Sequence, residues 1–297
     1  MPTIAEAVRH GAAILTAAGL DADGAAAPRF EAELLLCEAA GLNRTSLIAW
    51  PERMLTAPQS EHFEALVGRR AAGEPIAYIL GRGGFWGLDL VVTPDTLIPR
   101  PETELLVEWA LEAWPADAPA VCADLGTGSG AIACAIARER PAWTIIALEH
   151  SPAALDVAVG NARRLGLNNV VPVRSNWMAA IAANGFDLIV ANPPYVRADD
   201  PHLERGDLRF EPAGALAAGA DGLDAIRIIA EQARRCLRPA GHLAIEHGWD
   251  QDASVRALLD AAGYDGIFSH RDLAGHPRMT SARQHPANAC TKSDRSA

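Results

Sequence analysis

A doubly wound α/β sheet, preceded by a small helical bundle and a connecting β-hairpin, is the architecture predicted for this 297-residue chain. Three observations predict it. Between residues 118 and 280, short apolar runs alternate with segments of helical period, the pattern of βαβ units around a mostly parallel sheet. The first run leads directly into a glycine-rich loop and then an apolar helix. Ahead of them, residues 1–72 repeat apolar side chains at helical spacing.

With 49% hydrophobic residues the chain can bury a sizeable core, and its length suits two domains. The net charge is −11, Lys292 is the sole lysine, and no arginine cluster of the kind that grips a phosphate backbone is present. Direct binding of nucleic acid is therefore not expected. Cys37, Cys122, Cys134, Cys236 and Cys290 are odd in number, scattered and without a C-x-x-C pair, which argues against a disulfide framework or a zinc site. No metal is expected. The first residues lack the basic-then-apolar pattern of a secretion signal, and no apolar run approaches the ~20 residues that cross a bilayer. A monomer in a reducing cytoplasm, away from membranes, is the expectation.

In the bundle, Ile4, Ala7, Val8, Ala12 and Leu15 recur at helical spacing, and Leu34, Leu35, Leu36 and Ala39 do so after the break at Pro28. Gly19, Gly41 and Pro51 mark stops, and Pro58 opens a helix carrying Phe63, Leu66 and Val67. His10 and His62 read as surface residues. In the linker, residues 73–101, Glu74-Pro75-Ile76-Ala77-Tyr78-Ile79-Leu80 and Phe85-Trp86-Gly87-Leu88-Asp89-Leu90-Val91-Val92 flank Gly81-Arg82-Gly83-Gly84, which predicts a hairpin. Thr96-Leu97-Ile98-Pro99-Arg100-Pro101-Glu102-Thr103-Glu104 then reads either as a helix start, with carboxylates at the favoured end, or as a lid over a bound ligand.

Residues 102–280 carry the chemistry. The run 120–125 is followed by Gly126-Thr127-Gly128-Ser129-Gly130, where glycines let a ligand approach free helix N–H groups. The G-x-G-x-G spacing departs from the dinucleotide fingerprint, though such a loop also suits a pyrophosphate. Glu149 closes the second run, 19 positions beyond Gly130, where an acidic side chain commonly accepts ribose hydroxyls; its other reading is an exposed strand-end acid. Past a helix at 153–165 and a run at 170–174, Trp177 is placed to lie along an adenine ring with Asn176 at the base edge, or else to pack under a loop.

Phe186-Asp187-Leu188-Ile189-Val190-Ala191 has the composition of a strand buried on both faces, and Pro193-Pro194 must end it. Asn192 and Tyr195 then stand beyond the carboxyl end of a strand, where open sheets bind ligands. Carbonyl oxygens of the Asn192 side chain and of the proline backbone, beside the flat Tyr195 ring, suit a planar NH2 group. Two acceptors on its N–H bonds hold the nitrogen in line for alkylation and favour pyramidalisation. The competing reading is a strand end punctuated by prolines. Residues 196–224, with His202 and Arg209-Phe210-Glu211-Pro212, have the size of a functional loop. A helix at 223–237, a fifth run at 242–248 with His247 read as structural, a helix at 253–262 and runs near 267–269 and 279–280 complete the sheet. Residues 281–297 read as a disordered tail.

Gly73-Glu74-Pro75-Ile76-Ala77-Tyr78, Leu97-Ile98-Pro99-Arg100-Pro101-Glu102-Thr103-Glu104, Asp124-Leu125-Gly126-Thr127-Gly128-Ser129-Gly130-Ala131-Ile132-Ala133, Asn192-Pro193-Pro194-Tyr195, Arg209-Phe210-Glu211-Pro212 and Glu246-His247-Gly248 together resemble the HemK/PrmC family of peptide-chain release factor glutamine N5-methyltransferases. The resemblance implies a class I methyltransferase-like fold that uses S-adenosylmethionine and yields S-adenosylhomocysteine. It also implies a helical domain that helps dock a release factor, and the Gln of a Gly-Gly-Gln motif as methyl acceptor. Position by position, Gly126, Thr127, Gly128, Ser129 and Gly130 would hold the methionine end of the cofactor, Glu149 its ribose and Trp177 its adenine, with Asn192 alongside. Asn192, Pro193, Pro194 and Tyr195 would hold the glutamine amide, and Asn192, Pro193 and Tyr195 are the catalytic candidates. Asn176 stands where the family commonly has Asp, and an unfamiliar extension follows Arg278-Met279-Thr280. Two other readings use the same residues: an N6-adenine-type nucleic-acid methyltransferase, and a non-catalytic module that binds a nucleotide or S-adenosylmethionine.

Overall fold

The computed structural model describes residues 1–19 and 27–286, which fall into two compact units. The first comprises Met1–Arg82 and Pro201–Phe210. Its helices are α1 (Ile4–Ala17), α2 (Pro28–Ala40), α3 (Arg44–Ala49), α4 (Ala57–Ala71) and α5 (Ile76–Leu80). Capping boxes start α1 and α4: Thr3 and Thr56 accept from the backbone N–H groups of Glu6 and Gln59, whose side chains accept in return. Ile4, Val8, Leu15, Leu35, Leu36, Phe63, Leu66 and Val67 form the core. Gly11 brings α1 against α4, since a Cβ there would sit 2.7 Å from Phe63 Cζ.

Arg70 is buried in this unit and donates to both carboxylate oxygens of Glu31 at 2.9 and 3.2 Å, and to Asp207 at 3.0 Å. Arg209 donates to the Ala72 carbonyl at 2.8 Å and fills the space beside Gly73, where a Cβ would lie 1.9 Å from its Nη2. The segment Pro201–Phe210 of the long polar stretch thus joins the helical unit through two arginines.

The expected hairpin is displaced by one element. Residues 76–80 are helical, because Pro75 presets the backbone at the N-terminus and Gly81, at φ 66°, supplies the left-handed stop. The hairpin is β1 (Arg82–Phe85) and β2 (Leu88–Val91), turning at Trp86 and Gly87 with φ of 51° and 64°, the backbone a type I′ turn requires. Glu104 accepts the Trp86 N–H at 2.7 Å and fixes that turn.

The second unit comprises Gly83–Asp200 and the described residues from Glu211 onward. Its strands are β3 (Val121–Leu125), β4 (Thr144–Glu149), β5 (Val170–Arg174), β6 (Phe186–Ala191), β7 (Leu237–Glu246), β8 (Tyr264–Arg271) and β9 (Pro277–Gln284), in the order β5-β4-β3-β6-β7-β9-β8. The first five are parallel, and β9 runs antiparallel to both of its neighbours. Alternation along the strands sorts the core into two layers. Cys122, Ile145, Ala147, Leu188 and Val190 pack under α6 (Glu104–Ala113), α7 (Ala131–Glu139) and Ala162 of α8 (Pro152–Arg164). Ala123, Leu125, Leu148, Ile189 and Ala191 pack under α10 (Asp224–Cys236) and α11 (Asp252–Ala261), a short α9 (Ala213–Leu216) preceding them.

The sheet extends past the boundary expected at residue 280. Ser281 pairs with Ala244 and Phe268, and Arg283 with His242 and Asp265. Backbone pairing on both sides and side-chain bonds such as Gln284 Nε2 to the Arg234 carbonyl at 2.9 Å accommodate polar residues there. The rest of the expected tail, from residue 287, lies outside the described residues.

Removing one member of a buried ion pair strands the other. Arg70→Met is expected to lower the urea-unfolding free energy by roughly 3–5 kcal/mol, and a loss below about 1 kcal/mol would show that Glu31 finds water or another partner.

Candidate active site

Strand order reverses between β3 and β6, and the crevice beyond their carboxyl ends is a cavity of about 400 Å³, within the range of small-molecule sites. Gly126, Gly128, Glu149, Asn176, Trp177, Asn192 and Pro194 all line it. Residues 94–97 and Pro212, Gly214 and Ala215 close its sides. The Pro-Arg-Pro stretch is a helix start, leading through a short 3-10 turn into α6, and the residues just before it wall the cavity. Glu211 ties the two walls together, accepting from the Ile98 N–H at 3.0 Å and pairing with Arg100.

Thr127, Ser129, Gly130, Pro193 and Tyr195 lie outside this lining. Thr127 donates to Asp124 at 2.5 Å, and the Ser129 carbonyl accepts from Asn161 at 2.8 Å. Asn161 also makes two bonds to Val91, so a buried amide on α8 braces the glycine loop against the hairpin. Gly130 opens α7 at φ 82°, where a Cβ would approach Ala158 to 3.1 Å. Sequence patterning held no signal for Asn161, since its partners are backbone atoms far away in the chain.

Glu149 accepts three backbone N–H groups, from Gly128 at 3.0 Å, His150 at 2.8 Å and Ser151 at 2.9 Å. Trp177 sits at φ 48°, an uncommon conformation for a non-glycine residue. Its ring edge comes against the loop, and a Cβ on Gly126 would be 3.4 Å from Trp177 Cζ3. The buried Ser175 hydroxyl lines the same cavity and has no hydrogen-bond partner among the described residues. A carboxylate, an orphaned hydroxyl, an indole and exposed loop backbone match the hydroxyl, purine and amino-acid portions of S-adenosylmethionine. The residues fit that cofactor.

Asn192 donates through Nδ2 to the Thr103 hydroxyl at 3.0 Å, and its Oδ1 accepts no bond from a described residue. Tyr195 donates through its hydroxyl to Glu246 Oε1 at 3.3 Å, and its carbonyl accepts from Gln251 at 2.9 Å. A second cavity, of about 180 Å³, is lined by Tyr195, Arg197, Trp249 and Arg278 among others. His247 is buried between Thr280 and the Gly248 carbonyl, each at 2.9 Å, and keeps the structural role expected of it. A wider groove of about 620 Å³ between α11 and β8 contains none of the candidate residues.

Two carboxyls of this unit are buried at the strand ends. Burial pushes Glu246 up to about 7, against the hydroxyls of Thr103 and Tyr195 and the charge of Arg278, which pull it down. Burial likewise pushes Asp124 up to about 6, against the bonds from Thr127 and the Ala133 N–H. A folded carboxyl with a raised pKa retains its proton where the unfolded chain has lost it, so stability falls as pH rises from about 4 to 7. Each group contributes on the order of 3 kcal/mol to that fall. Glu246→Gln should flatten the decline in melting temperature between pH 5 and 7, and an unchanged slope would mean that the carboxyl is not proton-bearing in the folded state.

Residues 6–81 match the PrmC N-terminal domain, and residues 102–207 match the methyltransferase small domain. A release factor glutamine methyltransferase of Xylella fastidiosa is 51% identical over 255 residues, covering 86% of this chain and 93% of that protein. One of Pseudomonas aeruginosa is 53% identical over 252 residues, covering 85% and 91%. A Pyrococcus furiosus methyltransferase of known structure shares the fold, with a TM-score of 0.52 at 19% identity over 73% of this chain and 97% of that one. The chain belongs to the release factor glutamine methyltransferase family, protein-glutamine methyltransferases dependent on S-adenosylmethionine.

Proposed function

We propose that this protein methylates the side-chain amide nitrogen (N5) of the Gln in the Gly-Gly-Gln motif of peptide-chain release factors, in the cytoplasm. The observation that carries the reading is the orientation of Asn192: its Nδ2 is committed to Thr103, leaving Oδ1 as the acceptor at a cavity built for the cofactor. Bound S-adenosylmethionine supplies a sulfonium-activated methyl group. Held there, it would give that methyl to the amide nitrogen and leave as the neutral thioether, the displaced amide proton passing to solvent.

What the chain contributes is position. Asn192 Oδ1 and the Pro193 carbonyl accept the two N–H bonds of the glutamine amide, which orients its lone pair and favours pyramidalisation. The Tyr195 ring stacks on the amide plane, and Pro193-Pro194 keep the turn from relaxing. Glu149, Trp177, Ser175 and the loop from Gly126 to Gly130 hold the cofactor. In the helical unit, Ile48, Trp50 and Met54 are exposed around α3 and form the surface on which we place release-factor docking.

Incubation with a release factor and S-adenosylmethionine should add the mass of one CH2 group to the Gln of Gly-Gly-Gln, read by peptide mass spectrometry. Label arriving on nucleic acid instead would support the adenine-type reading, and label on neither would support a binding module. Asn192→Ala should lower kcat by about 10²–10³-fold, roughly 3–4 kcal/mol, if it removes an acceptor that tightens in the transition state. Cofactor affinity should change far less. Near-normal turnover in that variant would remove Asn192 from the reaction.

A further inference from the structure

Thr103 stands at the head of α6, where a Thr hydroxyl ordinarily accepts from a backbone N–H two or three residues on. It makes no such bond. The buried hydroxyl instead meets Asn192 Nδ2 at 3.0 Å, across 89 positions of sequence. Behind the same turn, Glu246 at the end of β7 is 3% exposed, takes the Tyr195 hydroxyl on Oε1 and leaves Oε2 without a partner among the described residues. A buried carboxyl with one unfilled oxygen is costly. Both ends of the Asn-Pro-Pro-Tyr turn thus rest on polar side chains from other elements.

We propose that Thr103 and Glu246 are a positioning pair for methyl transfer, Thr103 fixing which way the Asn192 amide faces and Glu246 fixing the Tyr195 ring over the acceptor. The proposal rests on the glutamine-methyltransferase reading and deepens it. An Asn side chain presents an acceptor on one side and a donor on the other, and a half-turn about its terminal torsion exchanges them. Without the Thr103 acceptor, the Nδ2 donor is free to face the cavity, where it would repel the N–H of an incoming amide. Tyr195 has one hydroxyl bond to hold its tilt, and that bond goes to Glu246. The hydroxyls of Thr103 and Tyr195, Arg278 on β9 and Glu102 beside Thr103 all face the carboxyl electrostatically, so the two members of the pair adjoin each other, while the neighbouring His247 is turned to Thr280.

The test compares Thr103→Val, which keeps shape and loses the hydroxyl, with Thr103→Ser, which keeps the hydroxyl, on release factor under saturating S-adenosylmethionine. Thr103→Val should lower kcat about 10²-fold, the scale of a misplaced reacting group, with the cofactor Kd within about 3-fold of wild type as the sign of an intact fold. Thr103→Ser should return kcat to within a few-fold of wild type. Glu246→Gln retains a carbonyl acceptor for Tyr195 and should keep most of the rate, whereas Glu246→Leu should lose it with cofactor binding preserved. Full kcat in Thr103→Val, or loss in Val and Ser alike, would overturn the proposal. Failure of the wild-type protein to methylate release factor would instead overturn the reading beneath it.

Discussion

The second unit depends on a strand in the middle of its sheet being forced to stop. Strand β6 is buried on both faces and paired to β3 and β7 along its length, so its backbone groups are satisfied only as long as the ladder lasts. Pro193 and Pro194 have no N–H to offer, and the ladder ends at Ala191. Because β6 lies where strand order reverses, that forced ending falls at the crevice rather than at an edge. Asn192 is delivered to the mouth of the cavity by the same two residues that stiffen the turn beneath it.

Around this point the chain spends polar side chains on orientation. Asn161 ties the glycine loop to the hairpin, Glu211 ties the two walls of the cavity, Gln251 holds the Tyr195 carbonyl, and Thr103 takes up the Asn192 donor. Each joins segments distant in sequence, and most of the partners are backbone groups. An arrangement of this kind suits a reaction whose nucleophile is a neutral amide: little charge must be neutralised, and the barrier is lowered chiefly by holding a delocalised nitrogen in the correct geometry. The net charge of −11 is compatible with a protein substrate.

Much of this was legible in the residues themselves. Apolar runs of five or six residues bounded by Gly and Pro located β3, β4 and β6 to within a residue, because strands buried on both faces leave little freedom of composition. The glycine loop and the Asn-Pro-Pro-Tyr turn were visible for the same reason: backbone that must bend sharply or approach a ligand uses few residue types. Residues 76–80 misled, since Ile-Ala-Tyr-Ile-Leu suits strand or helix equally and the flanking Pro75 and Gly81 decide it. Strand β9 misled in the other direction, its polar composition concealing full pairing with β7 and β8. The supporting shell of Thr103, Asn161, Gln251 and Glu246 could be reached only through motif resemblance or not at all, since the contacts of these residues are set by topology.

The most direct measurement is a crystal structure of the protein with S-adenosylhomocysteine and a glutamine-bearing release-factor peptide. The account predicts the glutamine amide nitrogen within hydrogen-bonding reach of Asn192 Oδ1, about 2.7–3.2 Å, its plane against the Tyr195 ring and its free face toward the cofactor sulfur. A glutamine held by its carbonyl on Asn192 Nδ2, or lodged in the second cavity lined by Tyr195 with its nitrogen turned from the sulfur, would contradict it.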